Sequence, residues 1–258
     1  MNVKAKKHLG QHFLTDENIA KKIVEGLDFQ PYQYVLEVGP GTGVLTKYLL
    51  EKPTETSVAE IDTESIEYLK LHYQKLENKH FTGDFLKINL SDVFSGEVAV
   101  IGNFPYNISS QILFKIIENY QQIPEMVGMF QKEVAERTAA VPRTKDYGIL
   151  SVLVQAYYDV KYLFTVHENV FNPPPKVKSG VIKLTRNRKE GLEGNEILFK
   201  QIVKTGFGQR RKKLSNALKS LDIPEVLKSH AFMDKRAEEL SVEDFINFTK
   251  EWKAAKMG

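Results

Sequence analysis

An amide, a proline and two aromatics stand together at Asn103, Phe104, Pro105 and Tyr106, directly after the apolar run Val98–Gly102. No histidine, cysteine or carboxylate lies within residues 103–110. Such a set cannot act as a conventional acid, base or nucleophile, but it can position and polarise. Alkylation of an exocyclic nucleobase amine needs that service. The nitrogen lone pair is delocalised into the ring, so it must be drawn toward tetrahedral geometry and aimed. Acceptors facing its N–H groups do this. The Asn103 side-chain oxygen is one, and a backbone carbonyl, that of Phe104, is another. Pro105 fixes its own φ and keeps Phe104 extended, so the carbonyl direction is set in advance. Tyr106 offers a flat face for the base. The alkylated amine is acidic enough to lose its proton to water. A cofactor supplies the reactive group.

A base presented this way has left its stack, and a second aromatic wall is expected. Phe171, followed by Pro173-Pro174-Pro175, is the candidate. The same residues also read as a rigid connector holding a core phenylalanine.

The elements that must position these groups alternate. Strands are expected at Tyr34–Val38, Ser57–Ile61, Val98–Gly102, Met126–Gln131 and Val181–Thr185, with helices at Thr42–Leu50, Thr63–Leu76 and Ser109–Asn119. That order predicts an α/β fold with a parallel, doubly wound sheet, which binds ligands beyond the carboxyl ends of its strands. Gly39, Gly41 and Gly43 follow the first strand in a turn that fits neither a dinucleotide fingerprint nor a P-loop. Glu60 lies roughly twenty residues on, where an acid can chelate a ribose diol. Asp62 is better placed to cap the next helix. Asp84, in Thr-Gly-Asp after a further strand, could accept from an adenine amine. Together with Asn103 these describe an adenosine-bearing ligand with no phosphate requirement, which suits S-adenosylmethionine better than NAD or ATP.

Past a charged, glycine-containing linker near Arg186–Gly194 only helical patterns remain. Ser241-Val-Glu-Asp has capping-box spacing and opens a helix with Phe245, Phe248 and Trp252 on one face. A methyltransferase-like domain over 1–188 and a helical domain over 189–258 are expected.

The net charge of +3 is uneven. Residues 1–100 carry 11 Lys/Arg against 15 Asp/Glu, the remainder 25 against 18. Ile197–Leu221 holds seven basic residues and no acid, either a polyanion-facing surface or a solvated helix face. With no cysteine and no metal-ligand spacing among six histidines, a metal-free protein is the expectation. No apolar stretch is long enough to span a membrane, and the N-terminus has no signal-peptide core, so a cytoplasmic location is expected.

The segments HLGQHFL, LEVGPGTGVLT, AEID, GDFL, NFPYNISS, VFNPPPKVKSGVIKL and FGQRRKKLSNAL, in this order, resemble the KsgA family of rRNA adenine dimethyltransferases over nearly the whole chain. The resemblance implies a Rossmann-like class I methyltransferase domain with a helical C-terminal domain. It implies S-adenosylmethionine as cofactor and transfer of two methyl groups to N6 of each of two adjacent adenosines, in the loop of the 3′-terminal hairpin of 16S rRNA. By motif matching, His12 and Leu14 border the cofactor with Gly39, Gly41, Glu60, Asp84 and Asn103. His12 stands where many relatives have asparagine. Phe104 replaces the commoner leucine, Lys178 a common aspartate and Gly180 a common alanine.

Two basic surfaces are expected to meet the RNA of the 30S subunit. One is Lys4, Lys6 and Lys7, the other Arg210, Arg211, Lys212 and Lys213, with no acid in their own stretch. No dimerisation heptad is present, and a monomer is expected. A 23S rRNA dimethylase of the Erm resistance type shares the Asn-X-Pro-Tyr motif. A non-catalytic assembly factor on the same fold is the reading from another class.

Overall fold

The structure is a computed structural model that describes residues 3–77 and 80–257. Its strands are β1 (Phe13–Leu14), β2 (Tyr34–Val38), β3 (Glu55–Ala59), β4 (Val98–Asn103), β5 (Glu125–Gln131), β6 (Tyr158–Val166), β7 (Phe171–Asn172) and β8 (Ser179–Arg186). Six form one sheet in the order β3-β2-β4-β5-β8-β6, while β1 and β7 pair antiparallel by themselves. β3, β2, β4 and β5 are parallel, and β8 runs antiparallel to β5. The sheet is thus mixed rather than purely parallel, a common variation in which an antiparallel strand is appended to a doubly wound core. The stretch before Asp84 forms only a single bridge, Phe81 with Val58, rather than a further strand.

The central strands read as near-continuous apolar runs because both their faces are covered. Val35, Ala99, Ile101, Val127 and Met129 join Ile23 and Val24 of the first helix, and Leu27 just after it, in one buried cluster. That helix, Glu17–Val24, starts where the Asp16 side chain accepts from the N–H groups of Asn18 and Ile19.

The chain divides into two compact units. One holds the described residues up to Glu136 together with Val160–Arg186. The other holds Arg137–Asp159 and the described residues from Asn187 on. A single boundary after residue 188 therefore misses an excursion. The helix Ile149–Gln155 buries Val152, Leu153 and Val154, and the Tyr147 hydroxyl donates to the Leu240 carbonyl at 3.0 Å, so this stretch packs with the C-terminal helices. In that unit Ser241 and Asp244 cap each other reciprocally, and the helix Val242–Met257 buries Phe245, Phe248 and Trp252.

Two glycines shape the end of β4. The Phe104 ring turns under the sheet, is 1% exposed, and packs on Phe130 with centroids 4.9 Å apart. A β-carbon on Gly128 would stand 2.1 Å from that ring, and one on Gly102 2.9 Å from it. Gly180 is similar, because the alanine common at its position would strike Ala135 and Tyr162. Gly128→Ala is expected to lower stability by about 1–3 kcal/mol through overpacking. Chemical denaturation should show a smaller loss when the same change is made in a Phe104→Leu background.

Candidate active site

The parallel register brings the ends of β2, β3 and β4 to one edge, since Val38 pairs with Ala59 and Glu37 with Ile101. Beyond that edge lies a cleft of about 730 Å³, its open mouth included. Gly39, Gly41, Glu60, Asp84, Asn103, Phe104, Pro105, Tyr106 and His12 all line it. Gly39, Gly41 and Gly43 have φ of +69°, +56° and +83°, a left-handed run that L side chains rarely adopt.

Glu60 is 6% exposed. Its carboxylate accepts from the N–H groups of Ile61 and Asp62 at 2.9 Å each and from Gly41 at 3.2 Å, which ties the glycine turn to the end of β3. Burial pushes its pKa up, against those hydrogen bonds. Asp62 caps the helix Thr63–His72 through the Glu64 N–H. Burial would raise its carboxyl too, but hydrogen bonds from Lys6, Gln11 and Ser65 outweigh this and hold it low. Asp84 accepts from the Leu86 N–H at 3.0 Å and faces Lys87 at 3.4 Å. Glu37, which sequence reading left without a role, is fully enclosed behind the turn and bonded by the Thr46 hydroxyl. Burial pushes its pKa up to about 8, with Glu60 adding to the rise.

At the end of β4 the Asn103 Nδ2 donates to the His12 carbonyl at 2.8 Å. The amide is thereby oriented, and its oxygen is left to accept. The Phe104 N–H donates to the Met129 carbonyl at 3.1 Å and Pro105 has φ −58°, so the peptide between them is held. The Tyr106 hydroxyl bonds Ser179 Oγ at 2.6 Å.

Several expected site residues lie elsewhere. Phe171 is no wall of the cleft: it is 4% exposed, opposite Leu14 across the β1–β7 pair, and both are part of the main core. Leu14 is itself buried and borders a small hollow beside Glu37 that shares Phe13, Gly39 and Asn103 with the cleft lining. Lys6 is spent on Asp62 and Glu64. Arg210 is not free of acids: it pairs with Glu238 and donates to the carbonyls of Lys145 and Thr144 at 2.9 and 3.0 Å. Lys213 pairs with Asp234 at 2.9 Å. Lys4 and Lys7, and separately Arg211 and Lys212, remain exposed.

Sequence reading missed Phe13, Ile61, Phe85 and Leu86, which give the cleft its apolar lining. Ile61 is 56% exposed, and its place directly after Glu60 was the available signal.

The family described as ribosomal RNA adenine dimethylase matches residues 2–254. The ribosomal RNA small subunit methyltransferase A of Flavobacterium johnsoniae is 59% identical over 253 residues, covering 98% of this chain and 97% of that protein. A dimethyladenosine transferase from Plasmodium falciparum has a similar crystal structure, with TM-score 0.83 at 26% identity over 95% of this chain and 98% of that one. The 23S rRNA methyltransferase ErmE follows at TM-score 0.68 and 25% identity, over 93% and 99%.

Glu37 sets a pH dependence for the ligand-free protein. Its folded pKa, about 8, exceeds the ordinary 4.5, so the native state binds the extra proton between these values. The stabilisation is complete below the unfolded pKa and is lost as pH rises through the folded one. The melting midpoint should fall from pH 5 to pH 8 more in the wild type than in Glu37→Gln. Parallel curves would assign the dependence to other groups.

Proposed function

The chain belongs to the ribosomal RNA adenine dimethylase family and is a methyltransferase, and we propose that its substrate is the small-subunit rRNA. Two methyl groups go to N6 of each of two adjacent adenosines in the loop of the 3′-terminal hairpin of 16S rRNA, in the 30S subunit in the cytoplasm, with the enzyme acting as a monomer. The observation that carries the chemistry is the oriented Asn103 amide at the mouth of the cleft. With Nδ2 held by the His12 carbonyl, the side-chain oxygen is the group available to an amine N–H.

The cleft fits S-adenosylmethionine. Among the described residues its lining includes two carboxylates, Glu60 and Asp84, and no lysine or arginine. That set disfavours a di- or triphosphate and suits a sulfonium nucleoside. Glu60 would hold the ribose, Asp84 the adenine amine, and Ile61, Phe85 and Leu86 the adenine faces, while the glycine turn admits the ligand close to the backbone. S-adenosylmethionine, when bound, supplies an electrophilic methyl group. The chain's own part is to accept the amine's N–H bonds at Asn103 Oδ1 and the Phe104 carbonyl, so that the nitrogen lone pair points into the cleft. Preorganised acceptors of this kind need no rearrangement at the moment of reaction.

The small-subunit assignment draws on the 59% identity to a protein named for that subunit. ErmE, named for 23S rRNA, is the more distant fold match of the two solved structures. Of the cations expected to meet the RNA, Arg211 and Lys212, and Lys4 and Lys7, are exposed and available to phosphates. Arg210 serves instead to hold the segment 144–145 within its own unit.

Incubation with S-adenosylmethionine and unmethylated 30S particles should create a reverse-transcriptase stop at the two adenosines. Free 23S rRNA should show none, and the opposite pattern would overturn the substrate assignment. Asn103→Ala should lose on the order of 10²–10³-fold in turnover while particle binding persists. Arg211→Ala with Lys212→Ala should weaken particle binding and flatten its log–log salt slope by roughly 1–2, with cofactor affinity unchanged. An unaltered slope would mark these two as a solvated face.

A further inference from the structure

Between β7 and β8 the chain leaves the sheet and rejoins it at the rim of the cleft. Pro173, Pro174 and Pro175 offer no N–H to a neighbouring strand, so residues 173–178 form an arch rather than extend the sheet. Both feet of the arch are fixed. On one side Asn172 pairs with Phe13, and His12 Nδ1 donates to the Pro173 carbonyl at 2.7 Å. On the other the Lys132 N–H donates to the Lys178 carbonyl at 2.9 Å, and Ser179 bonds the Tyr106 hydroxyl. His12 and Tyr106 both line the cleft, so the arch is built into its rim beside Asn103.

The last three residues of the arch, Lys176, Val177 and Lys178, are all exposed. From Asn169 to Lys189 the chain carries no acid. The cations of β8 itself are neutralised from elsewhere, Lys183 by Glu125 and Asp28, and Arg186 by Glu97. The two on the arch are not. Among the described residues neither Lys176 nor Lys178 has an acid partner, and nearby Glu136 is taken by Lys132 at 3.2 Å. Two like charges so close in a stiff loop repel one another in the free protein, and a polyanion relieves that repulsion.

We propose that the arch is a phosphate rail, on which Lys176 and Lys178 hold the RNA backbone beside the adenosine whose amine meets Asn103. The proposal rests on the rRNA reading above. It adds a contact within the methyltransferase unit, where Arg211 and Lys212 belong to the other unit. A nucleotide that presents its amine to Asn103 while the cofactor occupies the cleft keeps its ribose and phosphates outside, over the rim. Val177, 46% exposed, gives that strand an apolar surface between the two ammonium groups. The prolines and the two fixed feet shape the loop before RNA arrives, which lowers the ordering cost of binding.

The test uses the full chain and unmethylated 30S particles. Wild type, Lys176→Ala with Lys178→Ala, and Lys176→Arg with Lys178→Arg are compared in calorimetric affinity for S-adenosylhomocysteine, in kcat and KM, and in the log–log salt slope of particle binding. The rail requires KM to rise on the order of tenfold in the alanine pair and the slope to flatten by roughly 1–2, with S-adenosylhomocysteine affinity retained. The arginine pair keeps both charges and should recover both losses. Because the sequence has no cysteine, Val177→Cys supplies a single thiol for a short photoreactive label. In a mixture of 30S particles and 23S rRNA, the label should cross-link the loop that bears the reverse-transcriptase stop. If stop and cross-link both fall in 23S rRNA, the rail stands and the small-subunit assignment fails. The proposal itself fails if the alanine pair matches wild type in KM and slope, if the arginine pair recovers nothing, or if the label marks only RNA distant from the stop.

Discussion

The parallel pairing of β2 with β3 on one side and β4 on the other is the constraint from which the site follows. It stops three strands within a residue or two of a common edge. Gly39, Glu60 and Asn103 come from three distant parts of the chain, and none could find the others by local structure. A shift of one residue in either pairing would turn Glu60 or Asn103 to the opposite face of the sheet. Close packing on both faces opposes such a shift, since Val35, Leu36, Ala99, Val100 and Ile101 are all buried and each would have to repack against the opposite layer. The core thus specifies the geometry of the chemistry without touching it.

Around that edge the protein manages charge in two ways. Asp62 and Glu60 are supplied with donors, Lys6 and Gln11 for the first and backbone N–H groups for the second. Glu37 has only the Thr46 hydroxyl and is kept from ionising near neutrality by its surroundings. The buried carboxyl behind the glycine turn therefore adds little negative charge to the cleft beside it. A neutral Glu37 directly under the glycine turn also spares the turn a second anion beside Glu60.

Much of this was legible in the sequence. The central strands, the glycine turn, Glu60 and the Asn-Phe-Pro-Tyr corner announce themselves because each is a local pattern imposed by backbone geometry. The failures share one cause, which is that direction and partnership are tertiary. Phe171 sits in a strand two residues long, and whether such a residue faces the core or the cleft is a matter of one-residue parity that composition does not encode. The acid that neutralises Arg210 is 28 residues away, outside any local count of charge. β6 went unread because Asp159 and Lys161 interrupt its apolar residues, as suits an edge strand. The helix at 149–155 is apolar enough to belong to either unit, and only the packing of the C-terminal helices decides.

The small β1–β7 pair has a consequence for how the protein is made. It joins the beginning of the chain to a segment far along it: the bonds from Thr15 to Val170 and from His12 to Pro173 close loops of 155 and 161 residues. Loop closure on that scale is among the slower and less favourable steps available to a folding chain. Residues 12–15, made well before their partners at 170–173, are thus among the last to take their places. A nascent chain can complete the β2–β3–β4 edge, glycine turn included, well before the segment carrying His12 has anything to pair with. Full assembly of the cleft is a late event in synthesis, timed by the arrival of the proline-rich segment.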